Sequence, residues 1–118
     1  MQYLMLTYFD QAIADAYEAS TEADQQKEID QHVAWFAKYG DQISGGHELA
    51  WPRRTAAIRA GSGPVITDGP FLETKEILGG VIALEADSLE AAAAIAQEWP
   101  SLDQPGAYVE VVPRHVRE

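Results

Sequence analysis

The chain has 118 residues, with eight Lys and Arg against nineteen Asp and Glu, and it has no cysteine. The net charge of −11 argues against nucleic acid or an anionic membrane surface as a partner, because both require a basic face. The lack of cysteine excludes disulfides, thiolate metal sites and a cysteine nucleophile. The length suits one domain over residues 1–118, and the absence of a cationic leader or a long apolar run predicts a cytoplasmic protein.

The first third of the chain predicts a strand followed by a helix. Apolar residues on both faces of the stretch 2–9 indicate a buried strand, and residues 10–20 suit a loop or one or two helical turns. A helix begins after Thr21, which resembles the first residue of a capping box. Its apolar spacing predicts a buried stripe: Ile29, Val33 and Phe36. A second stripe lies at the border of that face: His32, Trp35 and Tyr39.

The remaining segments predict a hairpin, two strands and a second helix. Residues 42–51 and 55–60 suggest the two strands of the hairpin, and residues 61–64 suggest a further turn. A strand at 81–85 precedes the second helix, and a last strand covers 108–112. The expected buried stripe of the second helix is Leu89, Ala93, Ala96 and Trp99. With the hairpin counted as one strand, the order βαββαβ predicts an α+β, ferredoxin-like fold with two helices on one face of an antiparallel sheet.

The stretch from Val65 to Gly80 contains D-G-P-F followed by E-T-K-E and G-G, and it resembles the signature of the DGPF branch of the YCII-related family. The similarity covers about residues 2–114, including the Gly-Gly strand at 45–49 and the strand at 55–59. This resemblance implies a subunit that pairs through its sheets into a homodimeric α/β barrel. It also implies a kinship with lyase-like enzymes that use a histidine with an acidic partner. DGPF members are often encoded beside extracytoplasmic-function sigma factors.

Two residues are candidates for proton transfer. His32 lies on the first helix, where the resemblance places the histidine of the lyase-like enzymes, and its imidazole suits a proton shuttle near neutral pH. The alternative for His32 is a half-buried structural histidine. Asp68 is expected to orient that histidine or to act as the base. Its alternative role is to cap the turn that precedes Gly69 and Pro70.

Four further residues are candidates for ligand binding. Arg59 suits either an ion pair with Asp68 or Glu73, or a contact with a carboxylate ligand. Glu73 and Lys75 lie in the signature, whose mixture of donors and acceptors suits a small polar ligand or a loop that bonds its own backbone. His47 is expected at the rim of the site. No metal-ligand spacing is present in the sequence, and no cofactor is expected.

The sequence therefore predicts a homodimer that binds a small polar or anionic organic molecule. The reaction expected of it as an enzyme is cofactor-free proton transfer or elimination, of the lyase or isomerase kind. The alternative hypothesis is a non-catalytic regulatory protein whose partner is a sigma factor. The two hypotheses differ in whether the candidate side chains meet in a pocket.

Overall fold

The computed structural model describes residues 1–68 and 75–117, and these form six strands, three α-helices and one short 3₁₀ helix. The strands are β1 (Gln2–Phe9), β2 (Ile43–Glu48), β3 (Arg54–Ala57), β4 (Val65–Asp68), β5 (Ile77–Glu85) and β6 (Tyr108–Pro113). The helices are α1 (Gln11–Ala19), α2 (Glu22–Lys38) and α3 (Leu89–Ala96), and the 3₁₀ helix is Pro100–Asp103.

Four strands form the main sheet in the order β2-β5-β1-β6, and every neighbouring pair is antiparallel. The central strand β1 sets the register, with Leu6 opposite Val81 on one side and Glu110 on the other. Helix α2 follows β1 and α3 follows β5, so the order along the chain and across the sheet is that of a ferredoxin-like fold. The predicted α+β fold is confirmed.

The predicted hairpin between residues 42–51 and 55–60 is wrong. Strand β2 pairs instead with the central strand β5, where His47 lies opposite Val81. A cis peptide bond joins Trp51 to Pro52, and the chain then leaves the main sheet. Strand β3 pairs with β4 in a separate two-stranded sheet. We refer to residues 53–68, which contain this second sheet, as the arm.

The core lies between the main sheet, the C-terminal half of α2 and helix α3. Its buried side chains are Met5, Trp35, Ile82, Leu84 and Ala96. Helix α2 is tied to the end of α3 by polar contacts, because Lys38 and Tyr39 both donate to the Glu98 carboxylate. The Trp35 indole also donates to the Ile95 carbonyl at 3.2 Å.

The predicted buried stripe of α2 is wrong, because Ile29, Val33 and Phe36 are 46, 60 and 41% exposed. The border residue Trp35 is the one buried on this helix. The predicted stripe of α3 is only partly right. Ala96 is buried as predicted and Trp99 packs against the core, but Ala92 is buried in place of Ala93, and Leu89 is exposed. Alanine on several faces of α3 makes the direction of its apolar face ambiguous from the sequence.

Side-chain caps fix where the helices begin. Thr21 accepts from the Asp24 amide at 3.1 Å, as predicted, and Ser88 accepts from the Ala91 amide. Residues 11–19 form the full helix α1, and Asp10 caps it by accepting from the Ile13 amide at 2.9 Å. This carboxylate lies against Gly106, whose φ of +93° favours glycine.

Candidate functional site

An open cavity of about 610 Å³ lies between helices α1 and α2 and the face of the main sheet that carries the core. Most of its lining is apolar or aromatic, and the residues that shape it include Tyr17, Ile29, Val33, Phe36, Trp51 and Trp99. The exposed stripe of α2 therefore forms one wall of this cavity. The volume lies within the range of typical small-molecule sites.

His32 stands in the wall of this cavity, and both of its ring nitrogens have partners. Its Nδ1 lies 2.7 Å from the backbone carbonyl oxygen of Glu28, one helical turn earlier. Its Nε2 lies 2.9 Å from the Ser101 hydroxyl, which also lines the cavity. The edge-on ring of Trp99 packs against the imidazole, with 4.7 Å between the centroids.

These contacts define the tautomer of the neutral imidazole. A carbonyl oxygen only accepts hydrogen bonds, so Nδ1 must carry the proton that is donated to Glu28. In the neutral ring, Nε2 is then the unprotonated nitrogen and accepts from the Ser101 hydroxyl. The basic nitrogen of His32 is thus directed at a hydroxyl of the cavity wall.

The 3₁₀ helix holds Ser101 in this position. The Gln104 side-chain amide donates to the Glu28 carboxylate at 3.2 Å, so this segment contacts α2 both at Glu28 and at the histidine. Trp99, just before the 3₁₀ helix, packs edge-on against Trp35 with 5.0 Å between the ring centroids. The site residues are therefore anchored to the buried core.

The charges in the lining are negative. Glu28 and Glu48 border the cavity, and among the lining residues that the structure describes there is no Lys or Arg. Glu48 lies opposite Gly80, next to the Thr7 position on β1, so its side chain shares the sheet face of the cavity. The lining does not supply the positive charge that the predicted anionic ligand would need.

His47 borders the cavity along β2, but its side chain belongs to the other side of the sheet. Its neighbour Gly46 lies opposite Ile82, which is part of the core, whereas His47 lies opposite Val81. Successive side chains of a strand point to opposite faces. We conclude that the backbone of His47, and not its imidazole, meets the cavity.

Three other predicted site residues, Asp68, Arg59 and Lys75, lie outside the cavity lining. Asp68 is at the end of β4, with its side chain 90% exposed and paired with Arg54 at 3.4 Å. Arg59 is exposed in the arm, and its carbonyl accepts from the Ser62 amide in the turn of the hairpin. Lys75 is exposed at the start of the segment that leads into β5. Glu73 lies outside the described residues.

The structure thus adds site residues that sequence reasoning missed. Ser101 is 69 positions from its partner His32, so no local pattern connects the two. Glu28 precedes His32 by four positions, and this helical spacing is a usable signal. Within residues 1–68 and 75–117, no group of three or more His, Asp or Glu is arranged to hold a metal ion. No helix in this part of the chain has the length and apolar character to cross a membrane.

Comparisons with known proteins bear on the family. No curated protein matches the chain significantly. Among solved structures, the chain is similar to 5-chloro-2-hydroxyhydroquinone dehydrochlorinase from Burkholderia phenoliruptrix AC1100, in complex with 2,5-dihydroxybenzoquinone. The identity is 20% over 93% of this chain and 91% of that chain, with a TM-score of 0.44. The model of the YCII-related domain matches residues 1–114. The chain therefore belongs to the YCII-related family.

Proposed function

We propose that the chain binds a small, neutral organic molecule in the cavity and that His32 exchanges a proton with it without a cofactor. The observation that carries this proposal is the held imidazole, whose Nδ1 is bonded to Glu28 and whose Nε2 is directed at Ser101 in the cavity wall. A histidine is a suitable proton acceptor near neutral pH. Its ring is already oriented, so binding of a ligand need not order it.

The lining determines the class of ligand. Aromatic walls such as Phe36, Trp51 and Trp99 suit an apolar, ring-sized body, and the Ser101 hydroxyl suits a polar group on it. The carboxylates of Glu28 and Glu48 disfavour an anion in the same space. This ligand class replaces the polar or anionic class that the sequence predicted.

The proton path runs through a short chain of groups. A proton that leaves a ligand beside Ser101 is taken up by His32 Nε2, either directly or by way of the hydroxyl, which gives its own proton to Nε2 as it receives one. The imidazolium that forms keeps its Nδ1–H bond to the Glu28 carbonyl. Asp68 has no part in this path.

Two features expected from the family resemblance are further proposals. We propose membership of the DGPF branch, on the sequence from Asp68 to Gly80, and a homodimer. The open face of the main sheet supports a dimer, since Leu4, Leu6 and Val81 form a mostly apolar surface there. The regulatory alternative with a sigma-factor partner stays a prediction.

Binding is tested by thermal unfolding with phenol as a neutral probe and benzoate as an anion of similar size. A ligand at about 100 times its dissociation constant adds about 2.7 kcal/mol to the free energy of unfolding. We expect stabilisation by phenol at concentrations where benzoate has none. Stabilisation by benzoate alone would contradict the proposed ligand class.

Proton transfer is tested by the exchange of deuterium into cyclohexanone in D₂O, followed by NMR. We expect the protein to accelerate this exchange above buffer, and His32→Gln to abolish the acceleration. His47→Gln is the matched control, because its side chain lies on the other sheet face, and it should retain the wild-type rate. Equal loss in both variants would exclude His32 as the specific base.

A further inference from the structure

We propose that the arm of one copy packs across the cavity mouth of a second copy, against helices α1 and α2. This contact concerns association between chains, so its test does not depend on the test of proton transfer. Three observations support it: the exposure of the arm, the distribution of charge and the exposed stripe of α2.

The arm carries apolar side chains that its own chain leaves uncovered. Ile58, Val65 and Ile66 are 72, 54 and 58% exposed. Strands β3 and β4 have four residues each and pair only with each other. An isolated two-stranded hairpin is at best marginally stable in water. The arm therefore requires a surface to pack against.

The arm lies apart from the main sheet and from the cavity of its own subunit. Among the described strands, β3 and β4 pair only with each other, and no residue of 53–68 lines the cavity. The base of the arm is fixed, since the Arg53 guanidinium donates to the Leu78 carbonyl at 2.9 Å. The same guanidinium lies over the ring of Trp51, which lines the cavity. The arm thus begins at the rim of its own cavity.

The charge of the arm is opposite to that of the helices proposed to receive it. Residues 53–68 contain three arginines and one carboxylate, although the whole chain has a net charge of −11. Residues 10–30, which contain α1 and most of the exposed half of α2, have seven carboxylates and one lysine. Complementary charge of this kind favours association of the two surfaces.

The receiving surface also has apolar side chains that the described part of its own subunit leaves largely exposed. Tyr17, Ile29, Val33 and Phe36 are each at least 40% exposed along α1 and α2. An apolar arm with arginines therefore matches an apolar stripe flanked by carboxylates. Both surfaces belong to the same sequence, so every copy of the chain has one arm and one receiving surface. A second copy is therefore the partner that we propose. Two copies related by a twofold axis make the contact twice.

The contact is tested with paired cysteines, because the natural chain has none. One preparation carries Ile66→Cys on the arm, and the other carries Val33→Cys on α2. The two are mixed and treated with a short bis-maleimide, and the products are separated by mass. A second pair, Ile58→Cys with Ile29→Cys, serves if either variant of the first pair fails to fold.

We expect a covalent heterodimer of the arm and α2 variants in at least tenfold excess over the control mixture. The control pairs Ile66→Cys with Glu90→Cys, an exposed position on α3. A yield no greater than that of the control would overturn the proposal. A variant with both Ile66→Cys and Val33→Cys provides a second test. Cross-links within single chains, and none between chains, would also overturn the proposal.

Discussion

Two faces of helix α2 differ in what lies against them. On one face, Trp35 is buried against the sheet and α3, and Lys38 and Tyr39 donate to Glu98. On the other face, Ile29 and Val33 line an open cavity. The same helix therefore stabilises the fold with one face and forms a ligand-sized space with the other. In a small domain, this division keeps the site anchored without filling it.

His32 lies at the border between the two faces. Its ring packs on Trp99, which in turn packs on the buried Trp35. Its nitrogens contact Glu28 and Ser101 at the cavity. The packed face thus provides the rigidity that orients the imidazole, and the open face provides access to it.

The largest effect is expected when the buried side chain on the packed face of α2 is shortened to alanine. Trp35→Ala should lower the free energy of unfolding by about 3–5 kcal/mol, because it removes the one buried residue of α2 and leaves a cavity. Val33→Ala, at a position 60% exposed, should cost less than about 1 kcal/mol. Urea denaturation of both variants measures the difference. Equal losses would contradict the division of the helix.

A smaller effect is expected at the paired glycines of β2, at the cavity wall. A Cβ on Gly46 would stand 2.9 Å from the Val81 carbonyl oxygen, so Gly46→Ala should cost about 1–3 kcal/mol. A Cβ on Gly45 would meet nothing within 4 Å, and Gly45→Ala should change stability by less than about 0.5 kcal/mol. Thermal unfolding measures both. A greater loss in the Gly45 variant would show that the register of β2 differs from that described.

Removal of the Ser101 hydroxyl should have a modest effect on stability. Ser101→Ala loses one hydrogen bond to His32, which is worth about 0.5–1.5 kcal/mol. We expect the variant to retain the Nδ1–H tautomer of His32, because the bond to the Glu28 carbonyl remains. Unfolding and histidine NMR measure the two effects. A switch of tautomer in Ser101→Ala would show that the serine, and not the helix, determines it.

The smallest effect concerns Tyr108, on the opposite side of the sheet from the core. Its hydroxyl donates to the Glu110 carboxylate, and this bond together with the charge of Glu110 raises the pKa of the phenol above its ordinary value. A raised pKa stabilises the folded state below the ordinary pKa, and that contribution disappears as the pH rises through the raised value. Glu110→Gln should lower the pKa of Tyr108, as followed by ultraviolet absorbance. An unchanged titration would contradict the contact.

Local signals in the sequence predicted most of the fold. The capping pattern at Thr21 and the apolar residues on both faces of β1 correspond to real contacts, and the order of elements indicated the ferredoxin-like plan. The face of α2 that is buried was not predictable in this way, because both of its stripes are rich in apolar residues. Only the packing of Trp35 against α3 decides which stripe is buried. The pairing of β2 also depends on a distant strand, β5.

The candidate site was predictable only in its histidine. His32 lies in the cavity wall, but its Nε2 partner comes from a 3₁₀ helix near the other end of the chain. Asp68 does not line the cavity. It lies at the end of β4 in the arm, where it pairs with Arg54. The spacing of residues in the sequence cannot show that the chain leaves the main sheet after Trp51, because this depends on the pairing of β2 with β5.

The most direct test of the central claim is histidine NMR of the ¹⁵N-labelled protein during a titration with phenol. We predict that neutral His32 carries its proton on Nδ1. We also predict that the Nε2 resonance of His32 shifts to saturation with phenol, while the resonances of His47 and His115 stay unchanged. A proton on Nε2 in neutral His32, or a titration that moves the three histidines alike, would contradict a binding cavity built around this nitrogen.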